Sequence, residues 1–419
     1  MTPLKNWSGN LTYSATNIYH PQTLDEIAEI VRRHEKLRVI GTRHCFNTIA
    51  DSPSALLSTA KLNEIHSLDE AAATVTVGAG IRYGELCEYL HAQGWALPNL
   101  ASLPHISIAG ACATATHGSG VGNGNLATSV SAVELVTGTG DVISLSRTQD
   151  PELFPGVVVN LGTLGVVTRI TLDLVPTFEI AQCVYLDLPI AELVSSFDEI
   201  MSAGYSVSLF TDWQGESISQ VWIKRRIGES IRRQADGNFF GARPADSDVH
   251  PIAGISAENC TPQLDQPGPW FDRLPHFRMG YTPSSGEELQ AEYFVARQYA
   301  VAAFEALYEV RDAISPVLLI SEIRTIAGDD LWLSPFYLQD AVAFHFTLKQ
   351  DIDAVKALLP IIEHQLEPFE VRPHWGKLFT IPPSTLQRRY ARMQDFRMLM
   401  KHFDPQEKFS NSFTNTNIT

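Results

Sequence analysis

The segment from Ser102 to Gly124 constrains this chain more than any other. It is built from glycine, alanine, serine and threonine with a few larger apolar residues, and holds no lysine, arginine, aspartate or glutamate. That makes it too apolar and too poor in charge for a solvated linker. Small residues let backbone approach a large neighbour closely. The runs Ser107-Ile108-Ala109-Gly110 and Thr114-Ala115-Thr116-His117-Gly118-Ser119-Gly120 are rich in amides and hydroxyls that can face an anion or a planar ring. A tightly packed turn with no ligand explains one such segment equally well.

A second tight loop, Gly41-Thr42-Arg43-His44-Cys45-Phe46-Asn47, directly follows the apolar strand Leu37-Arg38-Val39-Ile40. A glycine at a strand exit lets amides approach a pyrophosphate. An imidazole held there with one nitrogen unprotonated is a nucleophile able to attack the benzylic carbon of an oxidised flavin. Taken alone, such a histidine is more often a surface or turn residue.

Charge narrows the partners. The 419 residues carry 31 Lys+Arg against 47 Asp+Glu, a formal net charge of -16, whereas a phosphate backbone is bound through clustered cations; no nucleic-acid partner is expected. The basic run Lys224-Arg225-Arg226, with Arg232 and Arg233 nearby, reads as a solvated surface turn. Five scattered cysteines, at 45, 87, 112, 183 and 260, give neither a disulfide framework nor a metal-ligand pattern, so no metal is expected. The first seven residues lack the charged start and apolar core of a signal peptide, and no apolar run approaches membrane-spanning length. The expectation is a cytoplasmic protein of two domains, a monomer in preference to an oligomer, with no membrane association.

Thr23-Leu24-Asp25-Glu26 has the form of a capping box, followed by Ile27, Ala28 and Val31 at helical spacing. Thr74-Val75-Thr76-Val77 reads as a strand ending in Gly78-Ala79-Gly80, and Tyr83, Leu86, Cys87 and Leu90 mark the apolar face of the next helix. The glycines do not complete a dinucleotide fingerprint, which leaves a Rossmann reading weak. Val133 and Leu135, the turn Thr137-Gly138-Thr139-Gly140-Asp141 and Val142-Ile143 predict a hairpin. Val166, Thr168, Ile170, Leu172 and Leu174 predict a strand with one buried face. Pro176 closes the first domain. Beyond it a helix is predicted from Val295 to Ala313, with loops rich in proline and glycine between 236 and 287.

Two predicted strands in the second half carry polar groups on apolar faces. In Val317 to Ile323, period-2 geometry puts Glu322 and Arg324 on one face with Leu318 and Ile320. In Ala341 to Leu348, His345 and Thr347 share a face with Ala341 and Ala343. If these strands are neighbours, the four polar residues form one floor. A structural ion pair with a hydrogen-bonded core histidine is the alternative. Arg372-Pro373-His374-Trp375-Gly376-Lys377 adds an aromatic, a glycine and a cation. Such a set suits a polyhydroxylated substrate, because each buried hydroxyl must be paired.

Together, the loop at 41–47, Leu97-Pro98-Asn99-Leu100-Ala101-Ser102-Leu103-Pro104-His105-Ile106-Ser107, Thr116-His117-Gly118-Ser119-Gly120, Gly162-Thr163-Leu164-Gly165-Val166-Val167 and His374-Trp375-Gly376-Lys377 resemble the vanillyl-alcohol-oxidase type of flavoprotein. Within it they resemble the alditol (xylitol) oxidases, with the sugar-lactone oxidases and dehydrogenases as relatives. The resemblance spans nearly the whole chain. It implies an α+β fold: an FAD-binding domain of two subdomains at 1–177, a substrate domain at 178–374 whose mixed or antiparallel sheet covers the flavin, and a segment at 375–419 that returns to the first domain.

The resemblance also implies that FAD is attached covalently through His44. Ile40, Gly41, Thr42, Arg43, Cys45, Ser102, Ser107, Gly110, Thr114, His117, Gly118, Val167, His374 and Lys377 would join His44 in binding it. Ser102, Glu322, Arg324, His345, Thr347 and Lys377 would line a polyol pocket. The expected reaction oxidises a terminal alditol hydroxyl to the aldose, with dioxygen reduced to hydrogen peroxide. His345 is the expected base, and Arg324, Lys377 and Glu322 supply charge and orientation. Cys45 departs from the family motif, which has serine there; the weaker hydrogen bonding of a thiol implies slower attachment or a differently packed loop.

Overall fold

Thr23 opens the first long helix as its sequence predicts. Its side chain accepts the Glu26 amide, the Glu26 carboxylate accepts the Thr23 amide, and Leu24–Arg33 then buries Ile27, Ala28 and Val31. The computed structural model describes residues 3–231, 234, 235, 237–280 and 287–419. The helix leads into Leu37–Ile40, an edge of a three-stranded parallel sheet with Ala55–Ser58 at its centre and Asn17–Tyr19 beyond.

A five-stranded antiparallel sheet follows, in the order Ile65–Asp69, Thr74–Gly78, Val166–Asp173, Val130–Val136, Val142–Ser146. Val166, Thr168, Ile170 and Leu172 are buried while their neighbours are half-buried, the period of a one-faced strand. The helix Tyr83–Ala92 buries Tyr83, Leu86, Cys87 and Leu90.

The strands between Glu179 and Pro373 build a nine-stranded antiparallel sheet. Its main path runs Arg243–Pro244, Glu179–Pro189, Ser217–Arg226, Ser206–Thr211, Leu318–Ile326, Ala341–Lys349, Glu288–Ala296, Arg372–Pro373, and Gln266–Pro269 pairs with Glu179–Pro189 beside it. One face is apolar and covered by helices: Phe346 lies against Trp213, which stacks on Phe304, and the Tyr293 hydroxyl donates to Glu363. Residues 292, 345 and 322, one position out of phase, point to the opposite face. The chain then folds back on its beginning. Arg38 donates to the carbonyls of Phe409, Leu161 and Gly162, and the Leu37 amide donates to the Lys408 carbonyl.

Two expectations are overturned. The helix predicted from Val295 begins only at Ala300, because Glu288–Ala296 is a strand. Its β-branched and aromatic run Tyr293-Phe294-Val295 fits a pleated sheet, and the alanine-rich stretch that favours helix starts afterwards. The solvated turn at 224–226 is instead the end of a strand, and Lys224 is 1% exposed. Its ammonium points inward to the carbonyls of Leu274 and Pro275. Arg225 pairs with Asp265, and Arg226 lies over the rings of Phe178 and Tyr205; Arg232 and Arg233 lie outside the described residues.

Among the described residues no helix is long and apolar enough to cross a membrane, and no group of three or more His, Cys, Asp or Glu side chains could hold a metal ion. The five cysteines are free thiols.

Candidate active site

A cavity of about 250 Å³ runs between the two N-terminal sheets and the open face of the large sheet. One end is lined by Ile40, Gly41, Thr42, Arg43, His44, Cys45, Ser107, Gly110, Thr114 and Val167. At Gly41 any side chain would collide with Ser107, since a Cβ there would lie 2.2 Å from Oγ. Arg43 has φ 63, a left-handed conformation that turns the chain and presents His44. The His44 ring stacks on Trp7 with centroids 5.2 Å apart and Nδ1 3.1 Å from Thr42 Oγ1.

His44 Nε2 and Ser107 Oγ are buried with no hydrogen-bond partner in the protein. Buried polar atoms are ordinarily satisfied, so these mark a place for a ligand that approaches them. Burial, reinforced by the charges of His105 and Arg43, pushes the His44 pKa down to about 4. The imidazole is therefore neutral near pH 7, the form that has a lone pair to offer. Asn47 ties this loop to the carbonyls of Trp375 and Lys377, and the Phe46 amide donates to the Gly376 carbonyl. Burial raises the Cys45 thiol to about 11, so it is protonated.

The other end is the polar floor. Glu322 and His345 are register partners on adjacent strands, and Glu292 is the partner of His345 on the other side. Glu292, 1% exposed, is the hub. Its Oε1 lies 2.6 Å from Arg324 Nη2, 3.2 Å from His117 Nε2 and 3.6 Å from His345 Nδ1, and its Oε2 lies 2.7 Å from Lys377 Nζ. Lys377 Nζ also reaches His345 Nδ1 at 2.7 Å, His345 Nε2 is 3.1 Å from Thr347 Oγ1, and Arg324 Nη1 donates to Ser102 Oγ at 3.2 Å. Glu322 Oε1 meets His276 Nε2 at 2.7 Å.

Burial alone would raise the pKa of Glu292, but Lys377, His117 and Arg324 prevail and hold it well below the usual carboxylate range. Glu322 is held low in the same way by Arg324 and His276 against the effect of burial. Burial, with the Lys377 charge, pushes His345 down to about 4, and burial also lowers Lys377, against the pull of Glu292. Near pH 7 the floor holds two carboxylates, a guanidinium, an ammonium and neutral imidazoles, in a setting where each group has a partner.

Every residue expected to bind substrate lies on the cavity wall, as do His117 and His374. Gly118 does not: its backbone packs against Leu100, where a Cβ would lie 2.2 Å from the carbonyl oxygen, and its own carbonyl faces His117 Nδ1. The sequence reading missed Glu292 and His276. Glu292 had a signal, because Glu288, Gln290 and Glu292 alternate with Leu289, Ala291 and Tyr293. His276 sits in the proline-rich loops and had none.

Residues 15–146 match the FAD binding domain family, and residues 287–417 match the D-arabinono-1,4-lactone oxidase family. The chain is 47% identical to an alditol oxidase of a Streptomyces species over 98% of each protein. It is 26% identical to the L-gulono-1,4-lactone dehydrogenase of Mycobacterium tuberculosis over 99% of each, and 24% identical to the L-gulonolactone oxidase of Scyliorhinus torazame over 98% of this chain and 96% of that protein. In structure it is similar to cholesterol oxidase from Brevibacterium sterolicum, with a TM-score of 0.79 at 15% identity, covering 100% of this chain and 96% of the other. That similarity is one of fold.

Glu292→Leu removes the hub and strands Arg324 and Lys377 without their short carboxylate contacts. The expected loss is about 3–5 kcal/mol of stability, measured as a lower urea midpoint; an unchanged midpoint would show that the cluster is not coupled as its geometry implies.

Proposed function

The chain belongs to the alditol oxidase family of FAD-dependent oxidases, and from that premise we propose that it oxidises the terminal primary hydroxyl of alditols such as xylitol and sorbitol to the aldose, while dioxygen is reduced to hydrogen peroxide. The observation that carries this reading is a floor of paired acidic and basic groups sharing one cavity with two buried atoms that lack partners, His44 Nε2 in the 41–47 loop and Ser107 Oγ in the small-residue stretch. In this reading residues 1–177 and 375–419 form the FAD-binding part and residues 178–374 the substrate part.

The residues present fit FAD. Gly41 on the cavity wall leaves room beside it for Ser107 Oγ, which is a free donor, and neutral His44 has an unengaged Nε2 able to form a covalent link. When bound, FAD supplies a two-electron acceptor. The protein's part is orientation and proton transfer. Ser102, Glu322 and Thr347 hydrogen-bond the polyol and hold its terminal carbon in a reactive pose. His345, kept unprotonated by its depressed pKa, takes the hydroxyl proton as C1–H is broken, at the Nδ1 lone pair that Lys377 Nζ faces, so the substrate hydroxyl replaces that ammonium contact in the reacting complex. Lys377 and Arg324 stabilise negative charge as it develops on the substrate oxygen.

A lactone substrate is the second reading, favoured by the match of residues 287–417 to the lactone oxidase family. The higher identity to the alditol enzyme, over nearly the full length of both proteins, weighs for the polyol.

Peroxide release in air, measured over a panel of alditols and aldonolactones, separates the two: faster turnover of xylitol or sorbitol is expected, and turnover of lactones alone would reverse the assignment. His44→Ala should leave FAD extractable by acid, whereas wild-type protein retains it; persistent attachment in the variant would refute the link. For His345, the neutral form is the active one, so flavin reduction should rise with pH through about 4 and level off above it. His345→Ala should lower the rate by about 10²–10⁴-fold and abolish that limb, measured by rapid mixing after a pH jump. A retained limb would assign the base elsewhere.

A further inference from the structure

Behind the polar floor stands a second row of groups with no part in the mechanism above. Glu322 faces Arg324 only across 3.6 Å, because that guanidinium is engaged with Glu292 and Ser102. Its short contact is with His276, 2.7 Å away. The other ring nitrogen of His276 lies 3.1 Å from Lys224 Nζ, which also donates to the carbonyls of Leu274 and Pro275. An ammonium has three protons and no lone pair. Two carbonyls and one imidazole nitrogen are therefore a matching set of acceptors, and they leave His276 Nδ1 as an acceptor and Nε2 as the donor to Glu322.

The ring cannot readily turn to exchange these roles. Phe210 and Trp222 pack edge-on against it, with centroids 5.5 and 5.2 Å away. Burial keeps the imidazole itself neutral, with a pKa pushed down to about 4, and lowers Lys224 to about 7 even against the pull of Glu322; the tautomer is therefore set from the other side, where the Glu322 carboxylate can only accept and takes the Nε2 proton at 2.7 Å. Lys224 and His276 are brought together from separate parts of the chain. The lysine ends a central strand, and the histidine comes from the loop that closes over the cavity near Phe277 and Ile252.

We infer that Lys224 and His276 form a positioning relay that fixes the orientation and charge of Glu322, so that its free lone pairs accept hydroxyl hydrogens of the substrate. The relay rests on the polyol reading above. It concerns binding more than the bond-breaking step, since a hydroxyl held by Glu322 is held in ground and transition states alike.

The test uses the FAD-loaded enzyme and xylitol, with KM and the flavin-reduction rate at saturation measured separately. His276→Phe keeps aromatic bulk and removes the donor; it should raise KM by about tenfold or more and leave the saturated rate within about threefold. His276→Gln, which returns an amide donor toward Glu322, should recover most of the lost affinity. Lys224→Met should raise KM by about threefold or more by releasing the tautomer. An unchanged visible spectrum in each variant shows that the cofactor site is intact. A wild-type KM in His276→Phe, or equal damage from Gln and Phe, overturns the relay. If His276→Phe does not fold, a wild-type KM in Lys224→Met overturns it alone. A wild-type enzyme that turns over no alditol fails the polyol reading first, and is told apart by that control.

Discussion

A single buried carboxylate holds the functional half of this molecule together. Glu292 is removed from water at a cost that only close, well-paired partners can offset, and it finds them on three separate parts of the chain: the guanidinium of Arg324 in the same sheet, the ammonium of Lys377 from the segment after the last strand, and the neutral ring of His117 from the small-residue stretch of the N-terminal part. Because each contact comes from a different element, the strands, the returning segment and the small-residue stretch must all be in place for the charge to be balanced. The same arrangement leaves the floor of the cavity densely polar, with its groups held by one another.

The antiparallel sheet makes this possible through its period of two. Glu292, His345 and Glu322 stand side by side across three strands, while Tyr293, Phe344, Phe346 and Ile323 turn to the other face and join the core. One set of strands thereby serves as both hydrophobic wall and polar cavity floor. Opposite lies the His44 loop, stacked on Trp7 and tied by Asn47 to the backbone around Lys377. The His44 loop and the polar floor are thus linked through the protein as well as across the cavity.

Much of this was legible in the sequence wherever local rules decide. The capping box at Thr23, the hairpin around residues 137–141, the one-faced strand at 166–173 and the two strands bearing Glu322 and His345 follow from side-chain periodicity and turn chemistry, while the pairing of those two strands comes from the fold. What stayed hidden depends on distant partners. Lys224 looks solvated because a cationic run usually is, and only the carbonyls of Leu274 and Pro275, some fifty residues away, make burial tolerable. The start of the helix after Val295 was misjudged because an apolar run of mixed period suits either a helix or a buried strand. His276 carries no local signal at all, since its role comes from the two groups that the fold places on either side of its ring.

The proposed reaction breaks a terminal C–H bond of an alditol in this cavity. The most direct measurement is rapid anaerobic mixing of the FAD-loaded protein with xylitol, protiated or deuterated at both terminal carbons, followed at the visible flavin band. The band should bleach, and deuterium should slow the bleaching several-fold. A band that xylitol leaves untouched while an aldonolactone bleaches it would contradict the account.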